Sequence, residues 1–223
     1  TMNSQDKPTL IYVGDPMCSW CWGFSHTVEE IYTHFNEQAP LTIRLGGLHA
    51  YETDPMSDDY KATIRHHWED VNRATGAPFD FSFFDREGFV LDTEPACRAV
   101  VTMRSLHKEK TLPFYEAISR SFYTENKDTT DVETFKVLCE EVGADPEEFE
   151  AKFSSDDYKE LTKLDFIFCQ RTGATGFPSM MVKEGETYAM LTAGYQPFEN
   201  LKPILERWIE VGLAGFSQDA GHA

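Results

Sequence analysis

The sequence predicts an α/β protein in which a large all-helical block interrupts a small sheet-containing domain. Three observations point there. Near the N-terminus an apolar strand pattern runs into a Cys-x-x-Cys pair and then an amphipathic helix. From about Tyr51 to Gly173 only helical periodicity is seen, and strand alternation then returns as a hairpin followed by a helix. The boundaries read as 8–50 and 174–213 for the two parts of the sheet-containing domain. Residues 51–173 read as the insertion and 214–223 as a small, polar, mobile tail. With no repeat, low-complexity tract or Pro/Gly-rich linker, an insertion fits better than a tethered second domain.

Leu10-Ile11-Tyr12-Val13 is β-branched and aromatic, hence a buried strand. Phe24, Val28, Ile31, Tyr32 and Phe35 recur at helical steps. Leu41 to Leu45 alternates as a second strand, broken by Gly46-Gly47, and a strand–helix–strand unit of this length predicts parallel strands with a right-handed crossover. Within the insertion, helices are predicted over Ser57–Thr75 (stopped by Gly76), from Asp92 or Thr93 through Met103, over Leu112–Tyr123 and over Asp131–Val142. Pro146–Phe153 and Asp156–Arg171 complete the set, with Gly173 as the stop. Met180–Lys183 and Tyr188–Thr192 flank Glu184-Gly185-Glu186 as a hairpin. Leu201, Ile204, Leu205, Trp208 and Ile209 mark the final helix.

The formal charge is −18, from 38 acidic against 20 basic residues, so the surface repels phosphate backbones and anionic lipid. Nucleic-acid and membrane partners are therefore not expected. The polar start and the short apolar run behind it form neither a secretory core nor a span. Five cysteines, an odd number and scattered outside the pair, do not make a disulfide framework, which predicts a reducing, cytoplasmic setting.

Cys18 stands where the strand turns into the first turn of a helix, whose backbone N–H groups lack intrahelical partners. A thiol there is expected to be exposed and to ionise more readily than free cysteine, with its pKa of roughly 8.5. Cys21, one turn further, is placed to attack a mixed disulfide formed at Cys18. A zinc half-site is the competing reading, but no second ligand pair stands elsewhere and no metal is expected. Trp20, between the cysteines, is expected to be exposed, and Trp22 to be core. Cys97, Cys139 and Cys169 fall among apolar helical neighbours as buried structural thiols. His66 and His67 have the wrong spacing for joint ligation, and His49 reads as a loop histidine near the second strand's end.

Thr175-Gly176-Phe177-Pro178-Ser179 precedes the hairpin, and a proline at a strand entrance suggests a cis peptide in a tight turn. With strand–CxxC–helix upstream and hairpin–helix downstream, this order resembles the thioredoxin-like fold. The interrupted form is similar to the DsbA family. Asp15-Pro16-Met17-Cys18-Ser19-Trp20-Cys21-Trp22-Gly23-Phe24 resembles the cytoplasmic FrnE-like branch, described as predicted protein-disulfide isomerases. The resemblance implies a thiol–disulfide oxidoreductase with Cys18, Cys21 and Pro178 as catalytic residues. It also implies a cis Pro178, with the Phe177 backbone pairing with an extended substrate and Ser19 and Trp20 at the rim. Substrates would be protein or peptide thiols and disulfides, with glutathione as a further partner, and no cofactor beyond the redox-active disulfide is implied. Two departures stand out. The family carries an acid six positions before the first cysteine where this chain has Tyr12, leaving water or Asp15 as proton acceptor for Cys21. DsbA also has a histidine between the cysteines where this chain has Ser19-Trp20, which implies a weaker oxidant.

Two other functions fit the same frame. One is a glutathione-dependent isomerase or transferase resembling 2-hydroxychromene-2-carboxylate isomerase or the kappa-class glutathione transferases. Those usually keep a single Ser or Cys, and retention of both cysteines argues against them. The other is a non-catalytic peptide-binding, chaperone-like module built on the aromatic connector Phe79–Phe84, for which core packing is the ordinary role.

Overall fold

The apolar run at the N-terminus becomes a central strand, β1 (Thr9–Gly14), buried on both faces. The structure, a computed structural model, describes residues 7–220, with side chains over 7–216. β1 is followed by a short helix α1 (Ser19–Gly23), α2 (Ser25–Phe35) and β2 (Leu41–Leu45). The helical block is α3 (Asp58–Thr75), α4 (Glu94–Leu106), α5 (Thr111–Glu125), α6 (Val132–Val142), α7 (Pro146–Phe153) and α8 (Asp156–Arg171). The chain ends with β3 (Ser179–Glu184), β4 (Thr187–Ala193) and α9 (Phe198–Ala220).

The four strands order as β2-β1-β3-β4. β1 and β2 are parallel, as the crossover requires, while β1–β3 and β3–β4 are antiparallel. Because side chains alternate across a strand, Leu10 and Tyr12 face the main core. Ile11 and Val13 face a smaller cluster with Cys169, Ala174 and Met181, on the side covered by α8.

Local chemistry explains the element ends. Ser57, Asp131, Asp145 and Ser155 each accept a backbone N–H at a helix start, and Gly76 and Gly143 close α3 and α6 in the left-handed region. Thr93 caps α4 by position, but the oxygen that accepts the Glu94 N–H belongs to Asp92, at 3.0 Å. The helix after the cysteines is divided at Phe24, and Tyr32, expected on its buried face, is 41% exposed, as Ile204 and Ile209 of α9 also are in large part.

The tail needs correction. Rather than trailing off at 214, the chain breaks at Gly212 (φ 68°) and resumes as helix to Ala220. Glu184 Oε1 accepts both the Trp208 indole N–H at 2.8 Å and the Leu213 N–H at 3.0 Å, and Leu213 and Phe216 pack on the core. The start at residues 1–6 and the last part of the tail, 221–223, lie outside the described residues.

The aromatic connector packs inside the insertion instead of forming a free groove. Phe79, Phe83 and Phe84 lie 5.2, 5.2 and 4.7 Å from the ring of Trp68, which is buried, with Phe122 and Tyr123 of α5 completing the cluster.

Candidate redox site

The turn between β1 and α1 is built around Asp15. Its Oδ1 accepts the Met17 N–H and its Oδ2 the Leu48 N–H, each at 2.8 Å, and the Asp15 carbonyl accepts the Cys18 N–H at 3.0 Å. The Cys97 thiol donates to Oδ2 at 3.5 Å. Burial pushes the Asp15 carboxyl up, and these donors pull it back. Asp15 thus joins the loop before the cysteines to the loop after β2, and its carboxylate is committed to that work. From α5, the Ser119 hydroxyl donates to the Pro16 carbonyl at 2.8 Å.

Cys18 is the N-cap of α1, with its sulfur accepting the Cys21 N–H at 3.4 Å. All five cysteines are free thiols. The Phe177–Pro178 peptide is cis, and the Phe177 carbonyl lies 3.9 Å from the Cys18 sulfur. The Phe177 ring fills the space a side chain at position 46 would need, since a Cβ on Gly46 would stand 2.1 Å from it. That close approach explains the first glycine after β2. The Pro178 carbonyl accepts the Gly194 N–H at 2.7 Å, tying the loop to the end of β4.

Exposure differs from what the sequence suggested. Cys18 is only 5% exposed and Cys21 is fully buried. Trp20 is half-buried against Tyr195, with ring centres 5.9 Å apart. Trp22 does pack on the core, stacked on Tyr123, but it is half-buried and donates its indole N–H to the Pro78 carbonyl. The Cys18 thiol is not simply activated by its place at the helix start. Its pKa is pushed up, first by the hydrogen bond with Cys21, then by burial, while the Cys21 N–H pulls it down.

A cavity of about 300 Å³ opens beside Cys18, walled by Trp20, Leu48, His49, Tyr60, His67 and Phe177 among others. Its lining is mostly apolar. His49 sits within 3.3 Å of the Tyr60 hydroxyl, and burial lowers its pKa, leaving the imidazole neutral at pH 7. His66 instead faces solvent beside Asp70. Among the described residues no cluster of metal-ligating side chains is present. No helix among them is long and apolar enough to cross a membrane.

Behind α1 a larger cleft of about 610 Å³ is lined by Trp22, Ser25, Glu29 and Glu116 among others. There burial, then the hydrogen bond with Glu29, raises the Glu116 carboxyl from 4.5 to about 8. A folded pKa above the unfolded one means that the folded protein holds an extra proton between about pH 4.5 and 8, so this group's stability contribution falls as pH rises through that window. Glu116→Gln, which mimics the protonated acid, is expected to raise the melting temperature at pH 8 by about 2–4 °C, roughly 1 kcal/mol for a chain of this size, and to change little at pH 4.5. Scanning calorimetry at the two pH values checks it, and equal shifts at both would contradict the proton-linked account.

Strand, dithiol turn and helix beside a proline-led hairpin, with helices set between the two halves, make a thioredoxin fold in its interrupted form. That is the architecture of a thiol–disulfide oxidoreductase. Residues 9–206 match the DSBA-like thioredoxin domain, and the chain belongs to that family. A Nitrosomonas europaea structure described as a "putative protein disulfide isomerase" is 38% identical, with TM-score 0.87, over 92% of this chain and 98% of that one. Cytosolic disulfide reductase DsbM from Pseudomonas aeruginosa superposes with TM-score 0.75 at 22% identity, over 91% and 98% of the two chains. The same enzyme with GSH gives TM-score 0.72 at 23% identity, over 91% and 99%. No curated protein sequence matches the chain.

Sequence reasoning named both cysteines, the proline loop and Trp20, which the fold brings together. It did not find Tyr60 or His67 in the cavity wall, nor Ser119, Cys97 and Tyr115 beside the turn. Each of these comes from the insertion, and nothing in helical periodicity says which polar group meets a turn tens of residues away in sequence.

Proposed function

We propose that the protein is a cytoplasmic disulfide reductase or isomerase of the FrnE-like kind, acting by thiol–disulfide exchange at Cys18 and Cys21. The observation that carries this is the placement of the Cys18 sulfur, between the Cys21 N–H at 3.4 Å and the Phe177 carbonyl at 3.9 Å. Cys18 attacks a substrate disulfide, its sulfur bonding to one substrate sulfur while the other leaves as a thiol. Cys21 then attacks Cys18, forming the Cys18–Cys21 disulfide and releasing the second substrate thiol. Pro178 shapes the loop that presents the Phe177 backbone to an extended substrate, and Ser19 and Trp20 form the rim.

The apolar cavity suits a peptide segment or a small thiol such as glutathione. The Pseudomonas aeruginosa relative, a cytosolic disulfide reductase also seen with GSH, supports the reductive direction and glutathione as a partner. Retention of a buried second thiol favours exchange over glutathione-dependent isomerisation, which has no use for a resolving sulfur.

Cys21→Ser tests the assignment. Incubated with a peptide disulfide, and separately with glutathione disulfide, the variant is expected to accumulate a mixed disulfide at Cys18, detected as an adduct by intact-mass and peptide mapping. Wild-type protein under the same conditions ends as the Cys18–Cys21 disulfide. Adducts on neither cysteine, or on Cys21 in the Cys18→Ser variant instead, would overturn the proposal.

A further inference from the structure

The cavity beside Cys18 differs in charge from the rest of the molecule. Asp, Glu, Lys and Arg make up 26% of the chain, yet none of the described residues lining the cavity is of these four types. One wall is the redox turn and the proline loop, through Cys18, Trp20 and Phe177. The facing wall is the insertion. There Tyr60, Ile64, His67 and Trp68 recur at the spacing of one helix face on α3. That face is covered unevenly. Trp68 is 1% exposed and stacks on Phe83, whereas Tyr60 and Ile64 are only half-buried and line the open space.

Two polar groups in the wall are already matched. The Tyr60 hydroxyl lies 3.3 Å from the His49 imidazole, and the His49 backbone N–H donates to Thr93 Oγ1 at 3.1 Å. Thr63 and His67 are exposed and so stand towards solvent. A charged group entering this space leaves water and meets no opposite charge, which is costly, while an apolar side chain gains by the same transfer. At about 300 Å³ the cavity stands at the small end of ligand pockets, with room for a large side chain rather than a folded peptide.

We propose that this cavity is a specificity pocket for a large, uncharged apolar side chain lying within two residues of the substrate cysteine, and that Tyr60 and Ile64 set its size. The inference rests on the exchange mechanism proposed above and names its substrate class: disulfides of polypeptides exposing aromatic or aliphatic residues near the cysteine. Reduced protein and one such disulfide give the Cys18–Cys21 disulfide and two substrate thiols, so the electrons balance within the pair. The filled pocket holds the segment while Cys18 attacks. Glutathione, with charges on both sides of its cysteine, reacts at the sulfur without filling the pocket.

The test follows oxidation of the reduced protein by stopped-flow tryptophan fluorescence, since Trp20 and Trp22 flank Cys21. The oxidants are symmetrical disulfides of short glycine-based peptides. In one set the two residues before the cysteine are both Phe, Leu, Ala, Asp or Lys, and in a second set the two after it. Salt at about 0.5 M screens the acidic surface, so that peptide charge acts only where it is buried. In at least one set the Phe and Leu peptides are expected to react about tenfold faster than the Ala, Asp and Lys peptides and than glutathione disulfide. Ile64→Trp, which fills the space, is expected to cut that advantage below about twofold and to leave the reaction with 2-hydroxyethyl disulfide within about twofold of wild type. Should that variant fail to fold, Ile64→Ala decides: the wider pocket is expected to raise the Phe-to-Leu rate ratio about threefold. Equal rates along both wild-type series, a faster reaction with the Asp peptide or glutathione disulfide, or an advantage for Phe that survives Ile64→Trp overturns the inference. Failure of every disulfide to oxidise the wild type, 2-hydroxyethyl disulfide included, would instead overturn the exchange mechanism itself.

Discussion

Cys18→Ser is expected to abolish disulfide reduction, lowering turnover at least about a thousandfold, because the covalent step loses its nucleophile. Cys21 cannot substitute. It is fully buried, whereas the Cys18 sulfur faces the Phe177 carbonyl and opens on the cavity beside it. The substitution also separates chemistry from folding. Cys18 caps α1 by accepting the Cys21 N–H, and serine is among the preferred capping residues. The variant should therefore melt within about 0.5 kcal/mol of wild type while its activity disappears. Reduction of a fluorescent peptide disulfide, followed beside the thermal transition, measures both. Retention of a tenth of the activity would mean that another thiol performs the attack.

How much of this was legible in the sequence follows from the range of the forces involved. Strand alternation, helical spacing and caps are local, which is why β2 matches Leu41–Leu45 and why α7 and α8 match their predicted spans. The Cys-x-x-Cys pair and the Gly-Phe-Pro-Ser loop are also local signals, although their meeting is long-range; only resemblance to a known fold connects them. Exposure was misjudged at Cys18 because it depends on what packs over the turn. The loop after β2 and helices α3 and α5 close around it, and no residue near Cys18 announces that. At the C-terminal end, small polar residues read as a mobile tail, yet one carboxylate, Glu184, accepts both the Trp208 indole and the Leu213 N–H and anchors a further helical segment. The meeting of the Tyr12 and Tyr115 hydroxyls, at 3.2 Å, has the same character: alternation puts Tyr12 inside, but nothing local identifies its partner.

Asp165→Ala should be the most destabilising of the substitutions considered, at about 3 kcal/mol. Its side chain is 1% exposed and sits on α8 between two guanidinium groups. Oδ1 accepts Arg44 Nη1 at 2.9 Å and Arg104 Nη2 at 3.0 Å, while Oδ2 accepts Arg104 Nη1 at 2.7 Å and the Leu45 N–H at 3.0 Å. One carboxylate thereby fastens α8 and α4 to the end of β2. Removing it strands a backbone donor and two cations, and loss of one partner from a buried pair costs far more than the pair's net worth. Arg44 is 39% and Arg104 25% exposed, so water relieves part of the penalty, which sets the value at the low end of the range. For a chain of this length the melting temperature should fall by about 6–12 °C. The consequence reaches the redox site through packing. β2 ends at Leu45, whose carbonyl also accepts the Cys169 thiol at 3.5 Å, and Gly46, which follows it, lies against the Phe177 ring. Loosening α8 should therefore free the proline loop as well, and the variant should bind peptide substrate more weakly below its melting transition. Urea unfolding monitored by tryptophan fluorescence checks the stability, and KM for the peptide disulfide checks the loop. A loss below about 1 kcal/mol would show that solvent already carries most of the charge on Asp165 and its two arginines.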